Sequence, residues 1–261
     1  SSNDVFPSAI HLAAVVGLET ALLPALRELR TAFEQQAARF DDVVKIGRTH
    51  LQDATPVRLG QELSGYAAQL AHAEDHIRRS LDHLRELALG GTAVGTGINT
   101  HPEFGRRMAA RLSEVTGVRF VEARNHFEAQ GAQDAAVATS GALKTLAVGL
   151  MKIANDLRWL GSGPRLGLGE LRLPAVQPGS SIMPGKVNPV IAESVIQVCA
   201  QVIGNDTAIT LGGVYGVLEL NTMLPLIGRN LLEQIRLLAR VMPVFRTRLV
   251  EGLEVDRAHI E

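Results

Sequence analysis

Apolar side chains recur every three to four positions along several long stretches of the chain, which is the spacing of amphipathic helices. The stretch from Gln61 to Leu89 shows the pattern most fully. One set of its apolar residues repeats every seven positions and a second set fills the spaces between them: Leu63, Leu70, Ile77 and Leu84, then Tyr66, Ala73, Leu81 and Ala88. The pattern predicts one long helix, which can begin after Pro56 and Gly60 and which Gly90-Gly91 ends.

Four further stretches show a similar period: Pro7 to Phe40, Asn125 to Gly161, Pro189 to about Leu211, and Glu219 to Val250. Pro24 lies inside the first of them, where its ring and its missing N–H predict a kink or a division of the helix. Five long helices with a shared apolar period predict an all-α fold, an elongated five-helix bundle. The sequence shows no internal repeat, low-complexity tract or flexible linker, which favours one domain.

The composition favours helices over sheets, because only 4% of the residues are aromatic within an apolar share of 46%. The formal charges nearly cancel, with 26 Lys and Arg against 27 Asp and Glu. Such a balance argues against nucleic acid or an anionic membrane as the main partner.

Cysteine usage and the apolar runs bear on location. The one cysteine, Cys199, excludes a disulfide framework and suits a reducing cytoplasm. No uninterrupted apolar run approaches the roughly 18–20 residues that span a bilayer, and the first four residues do not resemble a signal peptide. We therefore expect a cytoplasmic protein without a membrane partner.

The 28 residues from Gly161 to Asn188 form an unusually long segment between predicted helices, since loops longer than about 15 residues are uncommon in compact domains. Gly179-Ser180-Ser181 provides two hydroxyl groups, and Lys186 and Asn188 add a cation and an amide. A lysine and backbone N–H groups near a helix start favour an anion such as carboxylate or phosphate. An ordinary Gly/Pro-rich surface loop is the alternative, and the spacing is not that of a P-loop.

A second candidate is Gly47-Arg48-Thr49-His50, because histidine titrates near neutrality and can carry a proton at pH 7. A lone loop histidine can equally be a structural hydrogen-bonding group. Three other histidines share the polar side of one helix, but no carboxylate or cysteine motif completes a metal site there: His72, His76 and His83. We expect no metal and no other cofactor.

Two further motifs are less specific when each is taken alone. Ser1-Ser2-Asn3-Asp4 most simply caps the first helix. The glycine-rich run at Gly90–Gly97 follows a predicted helix and not a strand, which argues against a dinucleotide-binding fold.

Taken together, these motifs resemble the fumarase/aspartase superfamily and, within it, the class II fumarases. Six stretches carry the resemblance in the expected order: SSND at Ser1–Asp4, GRTH at Gly47–His50, GGTAVGTG at Gly90–Gly97, NHFEA at Asn125–Ala129, the superfamily signature GSSIMPGKVNP at Gly179–Pro189, and Glu219-Leu220-Asn221. The resemblance covers essentially the whole chain.

The resemblance implies a homotetramer with a twenty-helix core, to which each subunit contributes five long helices. Its active sites lie where three subunits meet, so the SSND, Thr49-His50 and GSS segments of one site come from different subunits. The implied substrate is a small C4 dicarboxylate, fumarate or L-malate. Family members also carry an N-terminal domain before SSND and a small C-terminal domain, so residues 1–261 are expected to be the central helical domain of a longer lyase and nearly inactive alone.

The resemblance also implies roles for individual residues. Ser180 matches the base that removes a proton next to a carboxylate, and Lys186 with backbone N–H groups would stabilise the alkoxide and the dianionic aci-carboxylate. His50 matches the residue that acts on the leaving hydroxyl, through a water, and Glu193 matches the carboxylate paired with that histidine. Eight residues match substrate-binding positions: Ser1, Ser2, Asn3, Thr49, Ser181, Lys186, Val187 and Asn188.

Two other functions stay open from the sequence. Aspartate ammonia-lyase shares the fold and the carbanion chemistry but expels ammonia. Ser2, where aspartases usually have threonine, and the NHFEA stretch favour fumarase, whereas Pro189–Cys199 and Thr222–Pro225 are closer to aspartase. A non-catalytic helical scaffold is less favoured, because packing alone requires none of the matched residues.

Overall fold

The computed structural model describes residues 2–260. Within that range α-helices hold most residues: α1 (Ser2–Gly17), α2 (Leu23–Arg39), α3 (Leu59–Leu84), α4 (Phe104–Thr116), α5 (His126–Gly131), α6 (Asp134–Leu160), α7 (Val190–Val214), α8 (Leu224–Phe245) and α9 (Arg257–Ile260). The strands are short and pair two by two: β1 (Val44–Thr49), β2 (Gln52–Arg58), β3 (Glu86–Leu87), β4 (Val121–Glu122), β5 (Leu171–Arg172), β6 (Gly216–Val217), β7 (Leu220–Asn221) and β8 (Glu254–Val255). The predicted all-α class is confirmed.

All five predicted long helices are present, but the structure differs from the prediction in several details. The stretch predicted from Asn125 to Gly161 is divided, because α5 ends at Gly131 and α6 begins at Asp134. The segment predicted as a loop from Gly47 to Gly60 contains most of an antiparallel hairpin of β1 and β2. Helix α4 was not among the predicted elements.

The first predicted helix is deformed before Pro24, as expected. A π-helical turn, Leu18–Leu22, joins α1 to α2, and the N–H of Leu23 donates to the carbonyl of Leu18, five residues earlier. The proline ring would otherwise meet the carbonyl four residues before it, at Thr20. The wider turn removes that clash and lets the chain continue as a helix.

The contacts divide the chain into two compact units. The first comprises the described residues through Pro24, Ala73–Ala147 and Ala200–Ala239. Its buried side chains are aliphatic, as the periodic pattern predicts, and include Ile10, Val15, Ile77, Leu81, Leu143, Leu146, Val202, Ile209, Leu231 and Leu238. Gly228 of α8 packs directly on Ile10 of α1, since a Cβ atom at that glycine would lie 3.0 Å from the isoleucine side chain.

The second unit comprises Ala25–His72, Val148–Cys199 and the residues from Arg240 onward. Phe33 is central to its core, and its ring meets Tyr66 and Phe245 edge-on at centroid distances of 5.8 and 6.1 Å. The buried Gln36 donates to the carbonyls of Val250 and Glu251, at 3.0 and 3.1 Å, where a second π-helical turn ends. These bonds satisfy acceptors that a helix end leaves unpaired.

Two helical stretches, Ser2–Arg39 and Asp134–Leu160, are long and apolar enough to cross a membrane by length and composition alone. Half of each apolar window is buried inside the structure. Core helices of soluble proteins pass the same test, so this finding is weak support for a membrane span.

Candidate active site

The predicted histidine lies at the tip of the β1–β2 hairpin in the second unit. Thr49 pairs with Gln52, which leaves His50 and Leu51 as a two-residue turn. Both turn residues have positive φ, 55° and 61°, as the tight turns that match strand twist require. Thr49 and His50 are consequently exposed at the end of a rigid two-stranded element.

Buried charges hold this hairpin to the rest of its unit. Strict alternation along β1 would place Lys45 and Arg48 on opposite faces, but the strand pairing is irregular between Ile46 and Arg48. Lys45 Nζ lies 2.7 Å from Glu170 Oε2, and Arg48 Nη1 pairs with Glu170 Oε1. One carboxylate, which lies 122 residues after Arg48 in the chain, therefore binds two cations of the strand that ends at Thr49.

The same lysine also binds Glu62 of α3. Its Nζ donates to both carboxylate oxygens, at 3.0 and 2.9 Å. The side chain of Lys45 is only 1% exposed and that of Glu170 only 5%, so water screens this pair little. We refer to Lys45, Arg48, Glu62 and Glu170 as the hairpin ion cluster.

A second polar network adjoins the hairpin ion cluster. Tyr66 donates its hydroxyl hydrogen to Asp156 Oδ2 at 2.9 Å, and Lys152 pairs with the same carboxylate oxygen and lies over the tyrosine ring. Burial, and then the Asp156 charge, raise the pKa of Tyr66. Residues of both networks line a cavity of about 130 Å³. The lining consists of Lys45, Arg48, Leu51, Glu62, Tyr66, Asp156, Trp159, Leu160 and Leu168.

The signature loop, residues 179–189, also belongs to the second unit. Gly179 packs against the carbonyl of Lys186, where any Cβ atom would overlap the oxygen, so the loop closes on itself only with glycine at this position. Inside the loop, Ser180 Oγ accepts from the N–H of Ile182 at 3.3 Å, and the N–H of Lys186 donates to Met183. The backbone is thus a compact turn built from its own hydrogen bonds.

The side chains of the signature loop are open to solvent. Ser180 is half-buried, whereas the residues from Ser181 to Asn188 are exposed, including the apolar Ile182, Met183 and Val187. In the part of the chain that the structure describes, no hydrogen bond or ion pair engages the side chains of Ser181, Lys186 or Asn188. These polar groups therefore remain available to bind another molecule.

Glu193 lies in the first turn of α7 and is half-buried. Within residues 2–260 it makes no hydrogen bond to His50, so the predicted carboxylate–histidine pair is not formed inside one chain. The pairing stays a prediction for an assembly of chains.

The start of the chain lies in the first unit, and Ser1 falls outside the described residues. Ser2 is the exposed first residue of α1, and Asn3 and Asp4 lie in the first turn of this helix. The predicted capping role is wrong for these two side chains, because they bind a loop elsewhere in the chain. Asp4 Oδ2 accepts from the N–H groups of Gly90 and Thr92, each at 3.1 Å.

Asn3 extends this attachment to a second segment. Its Nδ2 donates to the carbonyl of Ala93 at 2.9 Å and to that of Glu219 at 2.7 Å. Gln130, just after the NHFEA stretch, donates to the carbonyl of Thr92 at 2.9 Å. Four stretches that the sequence analysis singled out therefore meet in this unit, at residues 2–4, 90–93, 125–130 and 219–221.

Cysteine and metal chemistry find no support in the described residues. Burial raises the pKa of the Cys199 thiol to about 12, so its nucleophilic thiolate is scarce near neutral pH. No group of three or more His, Cys, Asp or Glu side chains between residues 2 and 260 is arranged to hold a metal ion.

Sequence reasoning missed the hairpin ion cluster entirely. It singled out Arg48 only as a letter of the GRTH motif, and it gave no role to Lys45, Glu62 or Glu170. The hydrophobic pattern offers one signal, since a lysine between Val44 and Ile46 in a strand-like run is unusual. Nothing local points to its partners.

Comparison with known proteins places this geometry in a family. A family model described as Lyase matches residues 1–204, which is most of the chain. The chain belongs to this lyase family.

Among its curated relatives are proteins named class II fumarate hydratase. The one from Nitrosomonas europaea is 56% identical over 261 residues, and the one from Thermosynechococcus vestitus is 55% identical over 261 residues. Both alignments cover 100% of this chain and 56% of the relative. The chain thus spans about half the length of these relatives, and its resemblance to class II fumarases is confirmed.

Solved structures show the same fold. A class II fumarase from Schistosoma mansoni superposes with a TM-score of 0.98 at 41% identity, covering 100% of this chain and 57% of that one. A protein described as fumarate lyase:delta crystallin from Brucella melitensis, in native form, gives a TM-score of 0.92 at 46% identity and covers 100% and 58%.

Proposed function

We propose that the full-length protein is a lyase that reversibly hydrates fumarate to L-malate. The observation that carries this proposal is the similarity of the whole chain to proteins named class II fumarate hydratase, at 55–56% identity. The exposed and unengaged polar groups of the signature loop support it, because a dicarboxylate needs such donors. The activity is proposed for the full-length protein, since the chain spans 56% of those relatives, and the 261 residues alone are expected to be nearly inactive.

In the direction from malate, Ser180 removes the proton from the carbon next to a carboxylate. A serine hydroxyl is a poor base at its ordinary pKa, because the basic form is the alkoxide. The alkoxide therefore needs stabilisation from the Lys186 ammonium and from backbone N–H groups of the closed loop. Proton loss places a second negative charge on the adjacent carboxylate. Lys186 and Asn188 would bind that dianion more tightly than the ground state, which lowers the barrier.

On the other side of the bond, His50 assists departure of the hydroxyl through a water molecule. The tip of a rigid hairpin suits this role, because it holds the imidazole in a fixed position while leaving it open to solvent. Glu193 would orient the ring, and this pairing requires a second chain.

We therefore also propose a homotetramer in which three subunits complete each active site. Thr49, Ser181 and Val187 would line the substrate, together with Ser1, Ser2 and Asn3 of a different subunit. The substrate is a C4 dicarboxylate, no metal or other cofactor takes part, and the enzyme acts in the cytoplasm.

The competing proposal is aspartate ammonia-lyase, which the Pro189–Cys199 and Thr222–Pro225 stretches favour. Assays of the full-length protein with L-malate and with L-aspartate separate the two. We expect fumarate formation from malate, seen by ultraviolet absorbance, without ammonia release from aspartate. Ammonia release with no hydratase activity would overturn the proposal.

The role of Ser180 is tested by Ser180→Ala. Loss of the base should reduce kcat by at least about 100-fold, within the range for removal of an acid–base group, with an unchanged thermal midpoint. Ser64→Ala, an exposed serine on α3, serves as the matched control and should keep parental turnover. Turnover of Ser180→Ala within tenfold of the parent would show that another group is the base.

A further inference from the structure

A wide cleft in the first unit has no part in the proposed function. Its volume is about 620 Å³, and the end of α3 and the β3 and β4 segments form its walls. Its lining is almost entirely charged: Arg79, Asp82, His83, Arg85, Glu86, Arg119, Val121 and Arg124. Four guanidinium groups therefore face two carboxylates across one opening.

Two of these arginines are already paired. Arg85 lies 2.5 Å from Glu19 and 3.2 Å from Asp82, and Arg124 Nε lies 2.7 Å from Glu86 Oε1. These pairs neutralise the carboxylates of the lining and fix its shape. Glu86 is further held by the backbone N–H of Arg124, at 3.2 Å.

The other two arginines carry the excess positive charge. Arg79 projects from α3, and Arg119 lies in the segment before β4. Both are exposed, and between residues 2 and 260 no carboxylate lies within ion-pair distance of either. Two unpaired guanidinium groups that line one concave surface create a positive potential that a single surface arginine would not.

The volume of the cleft and the side chains that line it indicate which class of ligand could bind there. A volume of about 620 Å³ lies inside the roughly 300–1,000 Å³ range of small-molecule sites. Val121 is the one apolar side chain of the lining, and no aromatic ring is present there to stack a base or a sugar. Guanidinium groups bind the oxygens of phosphates and carboxylates in a two-point geometry.

We propose that this arginine cleft binds a small, multiply charged oxyanion. Arg79 and Arg119 supply the principal contacts, and Arg85 and Arg124 shape the site and add to its field. The ligand carries several phosphate or carboxylate groups on a small polar frame. None of the residues assigned to fumarate or malate lines the cleft.

Isothermal titration calorimetry on the full-length protein tests the proposal, with inorganic tripolyphosphate and citrate as probes. The two probes distinguish phosphate from carboxylate as the source of the oxyanion. We expect saturable binding that weakens as the NaCl concentration rises, because partly exposed charges carry the interaction. The variant Arg79→Ala/Arg119→Ala should raise the Kd at least tenfold, and its thermal midpoint should stay near the parental value because neither side chain has an ion-pair partner to lose.

Two control variants make the result specific. Arg111→Ala removes an exposed arginine of α4 that pairs with Glu114 and does not line the cleft, and it should change the Kd less than twofold. Lys186→Ala removes the cation of the signature loop and separates the two sites. Binding that this variant keeps and the Arg79→Ala/Arg119→Ala variant loses belongs to the cleft, whereas binding that only Lys186→Ala loses belongs to the proposed active site and counts against the cleft. Binding of either probe that the double variant abolishes supports the site and identifies the source. No binding of either probe to the parent at millimolar concentration, or equal loss in the Arg111 variant, overturns it.

Discussion

The hairpin that presents Thr49 and His50 and the loop that presents Ser180 and Lys186 belong to the same compact unit but are held in opposite ways. Buried ion pairs attach the hairpin to α3 and to the segment before β5. The signature loop instead closes on its own backbone and leaves its polar side chains exposed. The charged side chains of the hairpin are paired inside the protein, whereas Lys186 of the signature loop is exposed to solvent.

This difference fits a division of labour in the proposed reaction. A group that acts on a leaving hydroxyl must be held at a fixed position, and rigid elements do this better than loops. A group that binds a dianion must reach it without first losing an ion pair or a hydrogen bond to another part of the protein. In the proposed reaction, the group that needs a fixed position therefore lies on the hairpin, and the groups that would bind the dianion lie on the loop.

The largest effect is expected when the hairpin ion cluster is broken. Glu170→Gln leaves the buried Lys45 and the half-buried Arg48 without their shared counter-ion. Loss of one partner of a buried pair costs about 3–5 kcal/mol, and we expect about 3 kcal/mol because Glu62 still pairs with the lysine. Urea unfolding followed by circular dichroism measures the change in the free energy of unfolding.

Two variants calibrate that measurement. Arg58→Ala removes a pair with Asp41 in the same hairpin whose side chains are 50% and 55% exposed, and it should cost less than about 1 kcal/mol. Lys186→Ala, in the signature loop, should stay within about 0.5 kcal/mol of the parent. If Glu170→Gln costs no more than Arg58→Ala, the ion cluster does not hold the hairpin.

A buried histidine of the first unit, His11, is expected to make the free energy of unfolding depend on pH. The pKa of His11 is lowered to about 4, mainly by burial and in smaller part by the nearby His83. The Glu86 carbonyl, which accepts from Nδ1, and the Glu86 carboxylate act in the opposite direction. Between about pH 6.5 and pH 4, His11 is protonated in the unfolded chain but not in the folded chain. Stability from this group is therefore full above pH 6.5 and falls as the pH drops, by about 1.4 kcal/mol per unit and about 3 kcal/mol in total.

The variant His11→Asn keeps a side-chain donor and removes the titration. Its free energy of unfolding should lose this slope between pH 6.5 and pH 4, measured by urea unfolding at several pH values. An unchanged slope would place the acid sensitivity on another group.

The smallest effect is expected at the hairpin tip. Leu51 is 58% exposed and has a φ of 61°, a conformation that costs a leucine about 1 kcal/mol and that asparagine adopts readily. Leu51→Asn should raise the free energy of unfolding by about 0.5–1 kcal/mol, seen as a rise in the midpoint of a calorimetric scan. A lower midpoint would mean that packing of Leu51 against the adjoining cavity outweighs the strain.

The elements that the sequence predicts well are those with a long, regular period. The seven-residue repeat predicts the start of α3 to within two residues, at Gln61 against the observed Leu59. It places the end five residues too late, at Leu89 against the observed Leu84. Helix α4 was not predicted, although the sequence carries one signal for its end. A glycine, Gly117, follows the helix, and in the structure it has the φ of 71° that is common at helix C-termini. The hairpin was missed because a glycine, a proline and a histidine in 15 residues suggest a loop.

The site divides in the same way. The motifs identify Ser180, Lys186 and His50 as candidates because their residue types and order resemble a family. The roles of Asn3 and Asp4 in holding residues 90–93 and 219 were not predictable, since a Ser/Asn/Asp run before a helix is the ordinary signal for a cap.

By itself, the sequence determined where the long helices run, that aliphatic side chains fill the core, and which segments carry reactive groups. Each of these properties depends on residues that are close together in the chain, so the local spacing of residue types is enough to predict it. Only the tertiary structure decided which charges lie close together, as when Glu170 meets Lys45 and Arg48. It also decided which charges have no ion-pair partner among residues 2–260, as at Arg79 and Arg119. Such pairings depend on how distant segments pack, and the free energy of a charge depends on its burial and its neighbours, which no local pattern encodes.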